Sequence, residues 1–315
     1  MSILSAPHFH NEAAAIARLE GIVWPEGPHC PRCGGLDRIT DVKGGRMGLR
    51  RCGPCKREFT VTVGTIFERS HVKLHIWFQA AHLMASSKKG ISAHQLHRTL
   101  QVTYKTAWFM EHRLREAMRE GKFEIMGGEG KTVEIDETYV GGKEKNKHRN
   151  KRVQGANGGI GKEAVFSLVE RGGSVRSHHV ATVSIKNLAP ILNEQLHAAT
   201  NVMSDGGGAR VGSMFASHQT VNHSIGEYVR GDVHTNTIEG YFSVLKRGIM
   251  GTYHHVSPKH LKRYLAEFDF RYNERMALGV SDEARTTSLV RGIVGKRLTY
   301  RQSSDSQGRG HSDDR

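Results

Sequence analysis

Three carboxylates in the second half of the chain have the residue types and local contexts needed to hold metal ions. Asp136 lies in TVEIDETYVGG, where the β-rich run before it predicts a strand, and Asp205 ends the short apolar run NVMSD. Glu239 lies in HTNTIEGYFSVLKRG, whose apolar spacing predicts a helix. Two acids on strands and one on a helix can converge on a pair of Mg²⁺ ions. Such a pair can clamp the attacking and leaving oxygens of a phosphodiester.

All four cysteines of the chain lie in one short segment, as CPRCGG and RCGPCKREF. Two C-x₂-C pairs separated by 18 residues can bring four thiolates to one point, and a tetrahedral set of sulfurs selects Zn²⁺. Four protein ligands leave the metal no open position, so we predict a structural zinc ribbon. Two disulfides or a redox-active C-x-x-C are the alternatives, disfavoured by a reducing compartment and by the doubled motif. The predicted ligands are Cys30, Cys33, Cys52 and Cys55.

The charge of the chain predicts a polyanionic partner. It has 46 Lys and Arg against 31 Asp and Glu, a formal net charge of +15, and release of counterions makes such binding salt-dependent. A basic protein with solvated charged faces is the alternative. No apolar run approaches the ~18 residues of a membrane span, and the N-terminus lacks signal-peptide features, so we expect a cytoplasmic protein without a membrane partner. Several basic residues surround the ribbon, namely Lys43, Arg46, Arg50, Arg51, Lys56 and Arg57.

A helical region follows the predicted ribbon. The segment HVKLHIWFQAAHLMASSKKG has helical spacing, and Ser92 occupies an N-cap position before AHQLHRTL. A short QVT turn then precedes YKTAWFMEHRLREAM. Two short helices joined by a tight turn match a DNA-reading helix-turn-helix, and a helical hairpin that supports another domain is the alternative. In the first interpretation the second helix presents Tyr104, Lys105, Thr106 and Arg113 to DNA.

The second half predicts a mixed α/β fold of the ribonuclease-H-like type. A strand over 131–140 is followed by a basic Gly-rich loop, a hairpin that turns at Arg171–Gly173, a helix, the strand NVMSD and two further helices. This order is typical of a mixed sheet with helices on its faces. The predicted parts are an N-terminal helical arm (1–26), the zinc ribbon (27–70), the helix-turn-helix region (71–125), the catalytic domain (128–280) and a C-terminal extension with a disordered tail (281–315).

The chain resembles DDE transposases of bacterial insertion sequences, in the class with an N-terminal zinc ribbon. The matching segments are CPRCG, CGPCKREFTVTVGTIFE, EIDETYVGGK and HTNTIEGYFSVLKRGIMGTYHHVSPKHLKRYLAEFDFRYNER. The resemblance implies that Asp136, Asp205 and Glu239 form the catalytic triad that holds Mg²⁺ or Mn²⁺. Lys246 falls where the family carries a basic residue, on the same side of the helix as Glu239, and is expected to position a phosphate. Asn236, one turn before Glu239, is the alternative third ligand.

The resemblance also implies what the protein does. We expect it to bind the terminal inverted repeats of its own element and to catalyse DNA cleavage and strand transfer. Its partners are then double-stranded DNA, at the element ends and at the target, and further copies of itself. A non-catalytic DNA-binding regulator and a simple nuclease on the same fold are the alternatives. Of the neighbouring acids, Glu137 is expected on the opposite face of its strand from Asp136, and Asp269 is expected to be a solvated or paired charge.

Overall fold

The computed structural model describes residues 2–121, 124–142, 146, 148–152, 159–205 and 214–299. It contains a helical N-terminal part with a small ribbon and a five-stranded sheet covered by helices on both faces. The Gly-rich stretch at 206–213, residues 143–145, 147 and 153–158 of the predicted basic loop, and the predicted disordered tail lie outside the described residues.

The ribbon is a three-stranded antiparallel sheet. Its strands are β1 (Ile39–Asp41), β2 (Arg50–Cys52) and β3 (Glu58–Phe59). The first knuckle closes when the Gly34 N–H donates to the Cys30 carbonyl, and Gly34 has the positive φ of 71° that favours glycine. The first long helix of the chain packs on this sheet, because Arg50 pairs with Glu20 at 2.9 Å. Ribbon and N-terminal arm therefore form one unit.

Within the described residues, four α-helices precede the large sheet, and the α-helix nearest the C-terminal end of those residues joins them. They are α1 (Glu12–Val23), α2 (Leu74–Ser86), α3 (Ala93–Leu100), α4 (Tyr104–Ala117) and, numbered by its place in the chain, α8 (Asp282–Arg291). Side-chain caps fix several of their starts. The Asn11 side chain accepts from the Ala14 N–H, and the Ser92 hydroxyl accepts from the Gln95 N–H.

Helix α8 completes the N-terminal core although it lies near the other end of the chain. Leu289, Val290 and Ile293 are buried in the same apolar cluster as the ribbon and α1–α4. The Thr286 hydroxyl also meets Nδ1 of buried His82 at 3.1 Å. The helix of the predicted C-terminal extension therefore contributes apolar side chains to the core of the N-terminal helices.

The large sheet combines an antiparallel hairpin with two parallel strands. Its order is β6-β5-β4-β7-β8, in which β4, β5 and β6 pair antiparallel while β7 and β8 run parallel to β4. The three parallel strands consequently end at the same edge of the sheet. The strands are β4 (Thr132–Val140), β5 (Glu163–Glu170), β6 (Val175–Val180), β7 (Asn201–Asp205) and β8 (Ser217–Val221).

Helices cover both faces of this sheet, and each face has its own apolar cluster. Helix α5 (Ile185–Gln195) packs on the face that carries Ile135 and Val202. Helices α6 (Asn236–Gly248) and α7 (Pro258–Asn273) pack on the other. This confirms the predicted mixed α/β fold. Shorter elements are β9 (Val229–Arg230), β10 (Val233–His234), a π-helix (Ile249–Tyr253) and 3₁₀ turns at Ile3–Ser5, Pro7–Phe9, Arg149–Lys151, His223–Ile225 and Met276–Leu278.

A buried charged network joins the N-terminal part to the sheet. Arg115 on α4 donates to Glu267 on α7 at 2.6 Å and to Glu111 at 3.2 Å, and Arg271 also donates to Glu267. Burial alone would raise the pKa of Glu267, but Arg271 and Arg115 lower it to about 2. The Tyr253 hydroxyl adds a hydrogen bond of 2.6 Å to the same carboxylate. Helix α4 therefore supports the helices that cover the large sheet, as a helical hairpin would.

The prediction that α4 presents Arg113 to DNA is wrong. Arg113 is only 8% exposed, and it donates to the carbonyls of Leu298 and Glu68, so it does not face solvent. Tyr104 and Lys105 at the start of α4 are exposed. Any contact of this helix with DNA thus has to come from its first turn. Among the helices of the described ranges, none combines the length and apolar character of a membrane span.

Candidate active site and zinc site

The four cysteines come together as the sequence predicts. All their Sγ atoms lie within 4.8 Å of one another, with Cys30–Cys55 at 3.7 Å and Cys33–Cys52 at 3.6 Å. Four sulfurs bound to one zinc at about 2.3 Å stand roughly 3.8 Å apart, so the cluster fits a structural Zn²⁺. Burial raises the pKa of the Cys30 thiol, but the N–H groups of Arg32 and Cys33 donate to it and lower the pKa to about 7. Such donation favours the thiolate that binds metal.

The first two acids of the predicted triad lie side by side at the edge where the parallel strands end. Ile135 of β4 is opposite Ser204 of β7, so Asp136 and Asp205 occupy the next register position on adjacent strands. They share the sheet face that α6 covers, because side chains alternate along each strand. Local strand patterns alone predicted the two positions, and the parallel pairing explains why they meet.

The electrostatics of Asp136 show that the acids form one group. Burial raises the pKa of Asp136 to about 7, and the charges of Asp205 and Glu239 add to this rise. The Glu137 N–H, which donates to Asp136 Oδ1 at 2.7 Å, acts in the opposite direction. Because like charges resist ionisation together, this group favours a bound cation. Within the described ranges only the cysteines have all ligand atoms inside 4.8 Å, so the three carboxylates are more widely spaced.

Helix α6 carries the remaining predicted residues. Glu239 lies in its first turn, where its Oε1 accepts from the Thr235 hydroxyl at 3.1 Å. Asn236, the alternative ligand, is the first residue of the same helix. Lys246 lies in the last turn and lines a cavity of about 710 Å³ together with Tyr139. The helix therefore runs along β4 from the acids toward Tyr139, near the C-terminal end of that strand.

A buried acid that sequence analysis missed holds this helix in place. Glu134, two residues before Asp136, is 0% exposed and accepts from Arg171 Nε at 2.7 Å. It also accepts from the Thr237 hydroxyl and the Ile238 N–H, both at 2.9 Å. One carboxylate thus caps the N-terminus of α6 from β4, which suits the positive end of the helix dipole. The sequence did contain a signal for this acid, because Glu134 lies inside an apolar strand and, two residues before Asp136, on the same face of that strand.

Substitution of Glu134 by Gln is expected to destabilise the protein by about 3 kcal/mol. It leaves Arg171 half-buried without its carboxylate, and breaking a buried pair is costly. Urea unfolding measures the change. Glu163→Gln is the control, since this acid pairs with His179 in a more exposed position and should change stability little. A Glu134→Gln protein as stable as wild type would contradict this role.

Two neighbouring acids have different surroundings. Asp269 of α7 accepts from the Ser177 N–H at 2.9 Å, the Ser177 hydroxyl at 2.7 Å and the Tyr241 hydroxyl at 2.5 Å. Burial raises the pKa of Asp269 to about 7. Of the two predicted alternatives, a solvated or a paired charge, the solvated one is wrong, because this buried acid is hydrogen-bonded and joins α7 to β6 and α6. Burial also raises the pKa of Glu137, and the Asp205 charge adds to the effect.

The metal-free protein is expected to lose stability as the pH rises through neutrality. The pKa of Asp136 is about 7 in the folded protein against 3.8 ordinarily. The folded protein therefore keeps a proton that the unfolded chain releases between these values, and stability falls from about pH 4 to about pH 7 and stays lower above it. Because this carboxyl is only half-buried, we expect an effect of about 1–2 kcal/mol.

Asp136→Asn should remove this part of the pH dependence. The measurement is urea unfolding at pH 5 and pH 8 of zinc-loaded protein without added Mg²⁺. Asp41→Asn is the control, because this carboxylate is 81% exposed. A pH dependence that is the same in Asp136→Asn and in wild type would show that burial of Asp136 does not cause it.

Comparison with known proteins agrees with both parts of the structure. The family model described as the ISXO2-like transposase domain matches residues 127–273, which contain the sheet, α6 and α7. The model described as the transposase zinc-ribbon domain matches residues 10–58, which contain α1 and the cysteines. An uncharacterized protein in transposable element ISH50 of Halobacterium salinarum is 31% identical over 282 residues, covering 84% of this chain and 91% of that protein.

A zinc ribbon ahead of a mixed α/β domain, with these matches, defines an insertion-sequence transposase with an N-terminal zinc ribbon. The chain belongs to the ISXO2-like family of these transposases. Transposases act on DNA, so DNA is a partner of this protein, in agreement with the formal net charge of +15.

Proposed function

We propose that this transposase binds the terminal inverted repeats of its element, cuts the DNA there and joins the freed ends to target DNA. The observation that carries the proposal is the placement of Asp136 and Asp205 on adjacent parallel strands, with Glu239 near enough to raise the pKa of Asp136. The sheet, with an antiparallel hairpin followed by two parallel strands, supports a ribonuclease-H-like catalytic domain.

The three acids suit a pair of divalent metal ions. Carboxylate oxygens are the ligands that Mg²⁺ and Mn²⁺ prefer. The charges of Asp205 and Glu239 add to the raised pKa of Asp136, and a bound cation would lower that pKa again. When bound, the two ions polarise the phosphodiester and stabilise the charge on the attacking and leaving oxygens. We assign Asp136, Asp205 and Glu239 as the ligands, with Asn236 as the alternative to Glu239.

The remaining chemistry belongs to residues of this chain. Glu134 and Thr235 fix α6 and the Glu239 carboxylate, and Lys246 positions a backbone phosphate of the DNA along the same helix. Water attacks phosphorus, the P–O3′ bond breaks, and the products are a 3′-hydroxyl and a 5′-phosphate. The freed 3′-hydroxyl then attacks a target phosphodiester and displaces its 3′ oxygen, so no covalent protein intermediate is formed.

Exposed cations of the N-terminal part supply the proposed DNA-binding surface. Arg50 is an exception, because Glu20 at 2.9 Å and Asp41 at 3.2 Å already pair with it. Tyr104 and Lys105, in the exposed first turn of α4, are placed as in the reading helix of a helix-turn-helix. The exposed ribbon cations that we assign to phosphate contacts are Lys43, Arg46, Arg51, Lys56 and Arg57.

Binding of the full-length protein to element ends should be steeply salt-dependent. Each phosphate contact contributes a slope of about −0.9 in log affinity against log salt. Arg51→Gln should reduce the slope by about 1, whereas Lys105→Gln should also reduce the preference for the terminal repeats if the first turn of α4 meets base edges. Arg50→Gln is the control with an unchanged slope. Equal affinity for random DNA and for the terminal repeats would refute specific end recognition.

Strand transfer with pre-cut ends tests the proposed function against its rivals. Full-length protein, Mg²⁺ and duplexes that end in the element's 3′-hydroxyl should give products joined to a target plasmid. A simple nuclease would cut uncut ends but join nothing, and a DNA-binding regulator would do neither. Joined products that require the 3′-hydroxyl support the proposal, and their absence under conditions of complete end binding would overturn it.

A further inference from the structure

A histidine lies at the same sheet edge as the proposed catalytic acids. Strand β8 runs parallel to β7, and its last residue, Val221, is the register partner of Asp205. The chain leaving β8 therefore passes beside the acids. There it forms the 3₁₀ turn His223–Ile225, whose start is fixed because the Asn222 side chain accepts from the Ser224 N–H at 3.0 Å. Strand pairing and a capped turn thus set the position of His223.

The imidazole of His223 is directed at Glu239. Its Nε2 lies 3.7 Å from Glu239 Oε1, somewhat too long for a hydrogen bond. This nitrogen is buried, and among the described residues it has no hydrogen-bond partner. The ring of Tyr228 packs on the imidazole, with centroids 4.9 Å apart and planes at 32°. A buried ring nitrogen without a partner is unfavourable, and a small rotation of either side chain would supply one.

Two other histidines near the parallel strands, one on the opposite face of the sheet, already have partners. His218 Nε2 meets the Ser204 hydroxyl at 2.8 Å, and His234 Nδ1 accepts from Arg171 Nη2 at 3.0 Å. His223 is thus distinguished from both by its free nitrogen and by the carboxylate that it faces. The contrast indicates a specific role for His223 rather than a general enrichment of histidine.

The partner side chain needs such support. Glu239 is 48% exposed, and a long exposed carboxylate samples several rotamers. Thr235 already donates to Oε1, the oxygen that His223 approaches. Two donors on Oε1 would fix the carboxylate and leave Oε2 to ligate a metal ion beside Asp136. Supporting hydrogen bonds of this kind orient metal ligands in many proteins.

We propose that His223 is a positioning residue for the third metal ligand. Its imidazole, with the proton on Nε2, donates to Glu239 Oε1, and together with Thr235 it holds the carboxylate in the geometry that binds the divalent ion. The inference rests on the metal site of the proposed function. The imidazole does not itself coordinate the ion in this arrangement, in agreement with the preference of Mg²⁺ for oxygen ligands.

Binding of Mn²⁺ without DNA tests this role independently of catalysis. Free Mn²⁺ is counted by electron paramagnetic resonance as it is titrated into full-length, zinc-loaded protein. His223→Leu should weaken Mn²⁺ binding at least about tenfold, because a supporting hydrogen bond is lost. His223→Gln should stay within about threefold of wild type, since the Gln amide places an N–H near the position of Nε2. His179→Leu, which removes a histidine 2.6 Å from Glu163, is the matched control with unchanged binding.

Each outcome decides between defined alternatives. Wild-type Mn²⁺ affinity in His223→Leu would overturn the proposal, and His223→Gln as weak as His223→Leu would overturn positioning through an N–H donor. If His223→Leu does not fold, as judged by zinc content and the unfolding midpoint, His223→Asn replaces it. The His223→Asn protein, whose side chain is shorter, should bind Mn²⁺ weakly, while His223→Gln binds Mn²⁺ normally. Equal Mn²⁺ affinity of these two variants would refute the positioning role. Wild-type affinity in Glu239→Ala would instead contradict the metal site itself.

Discussion

Alanine at Asp136, Asp205 or Glu239 is expected to abolish DNA cleavage and strand transfer while leaving the binding of element ends nearly intact. Each substitution removes a proposed ligand of the metal pair and with it several kcal/mol of charge stabilisation in the transition state. Rates should therefore fall by roughly three orders of magnitude or more. Cleavage of a labelled duplex carrying one element end measures the first loss, and gel-shift titration of the same duplex measures binding.

Two controls make this prediction specific. Asp232→Ala changes an exposed acid near the site whose backbone carbonyl, not its carboxylate, accepts from Arg171, and it should cleave like wild type. Asn236→Ala tests the alternative third ligand. Near-normal cleavage by Glu239→Ala, together with an inactive Asn236→Ala, would move the third ligand to Asn236. Wild-type cleavage by all three acid variants would refute the metal site.

Loss of the zinc is expected to disrupt far more than the ribbon. Cys52 is 0% exposed and belongs to the same apolar cluster as α1, α2 and α8. Structural zinc contributes on the order of 10 kcal/mol to the folding of small zinc modules. Cys52→Ser should therefore lose the metal, lower the unfolding temperature of the whole N-terminal core and abolish end binding. Elemental analysis should find one zinc per wild-type chain and none in the variant.

His29→Ala provides the matched control for the zinc site. This histidine precedes Cys30 in the chain, and its ring contacts the Trp24 ring at 5.9 Å between centroids. The variant should retain one zinc per chain, because four sulfurs already complete the tetrahedron. Normal refolding of Cys52→Ser in the presence of a chelator would contradict a structural role for the metal.

Sequence patterns predicted elements better than they predicted contacts between elements. The positions of Asp136 and Asp205 follow from local strand patterns, and the cysteines from spacing alone. Glu134 was missed because its partner Ile238 lies on a helix that is distant in the chain. His223, which faces Glu239, was missed because it lies in a turn whose direction only strand pairing defines. Periodicity gives the apolar face of a helix but not the element that covers it.

Charge patterns were the least reliable guide. The basic residues of α4 suit a DNA-reading helix in the sequence, yet Arg113 and Arg115 are buried. Arg115 pairs with Glu267 on α7, which is distant in the chain. The sequence does not distinguish an arginine in a buried ion pair from an exposed arginine, and only the tertiary structure separates the two. The exposed first turn, with Tyr104 and Lys105, is what remains of the predicted reading surface.

The position of α8 also determines when the protein can fold during its synthesis. Residues 282–293 leave the ribosome after the whole large sheet, yet they complete the apolar core of the N-terminal helices. The nascent chain therefore keeps apolar faces of α1 and α2 uncovered until α8 has been synthesised, a condition that favours chaperone binding. Products truncated before α8 should consequently be unable to bind DNA through the N-terminal part, so that DNA binding would be confined to molecules that also carry the large sheet.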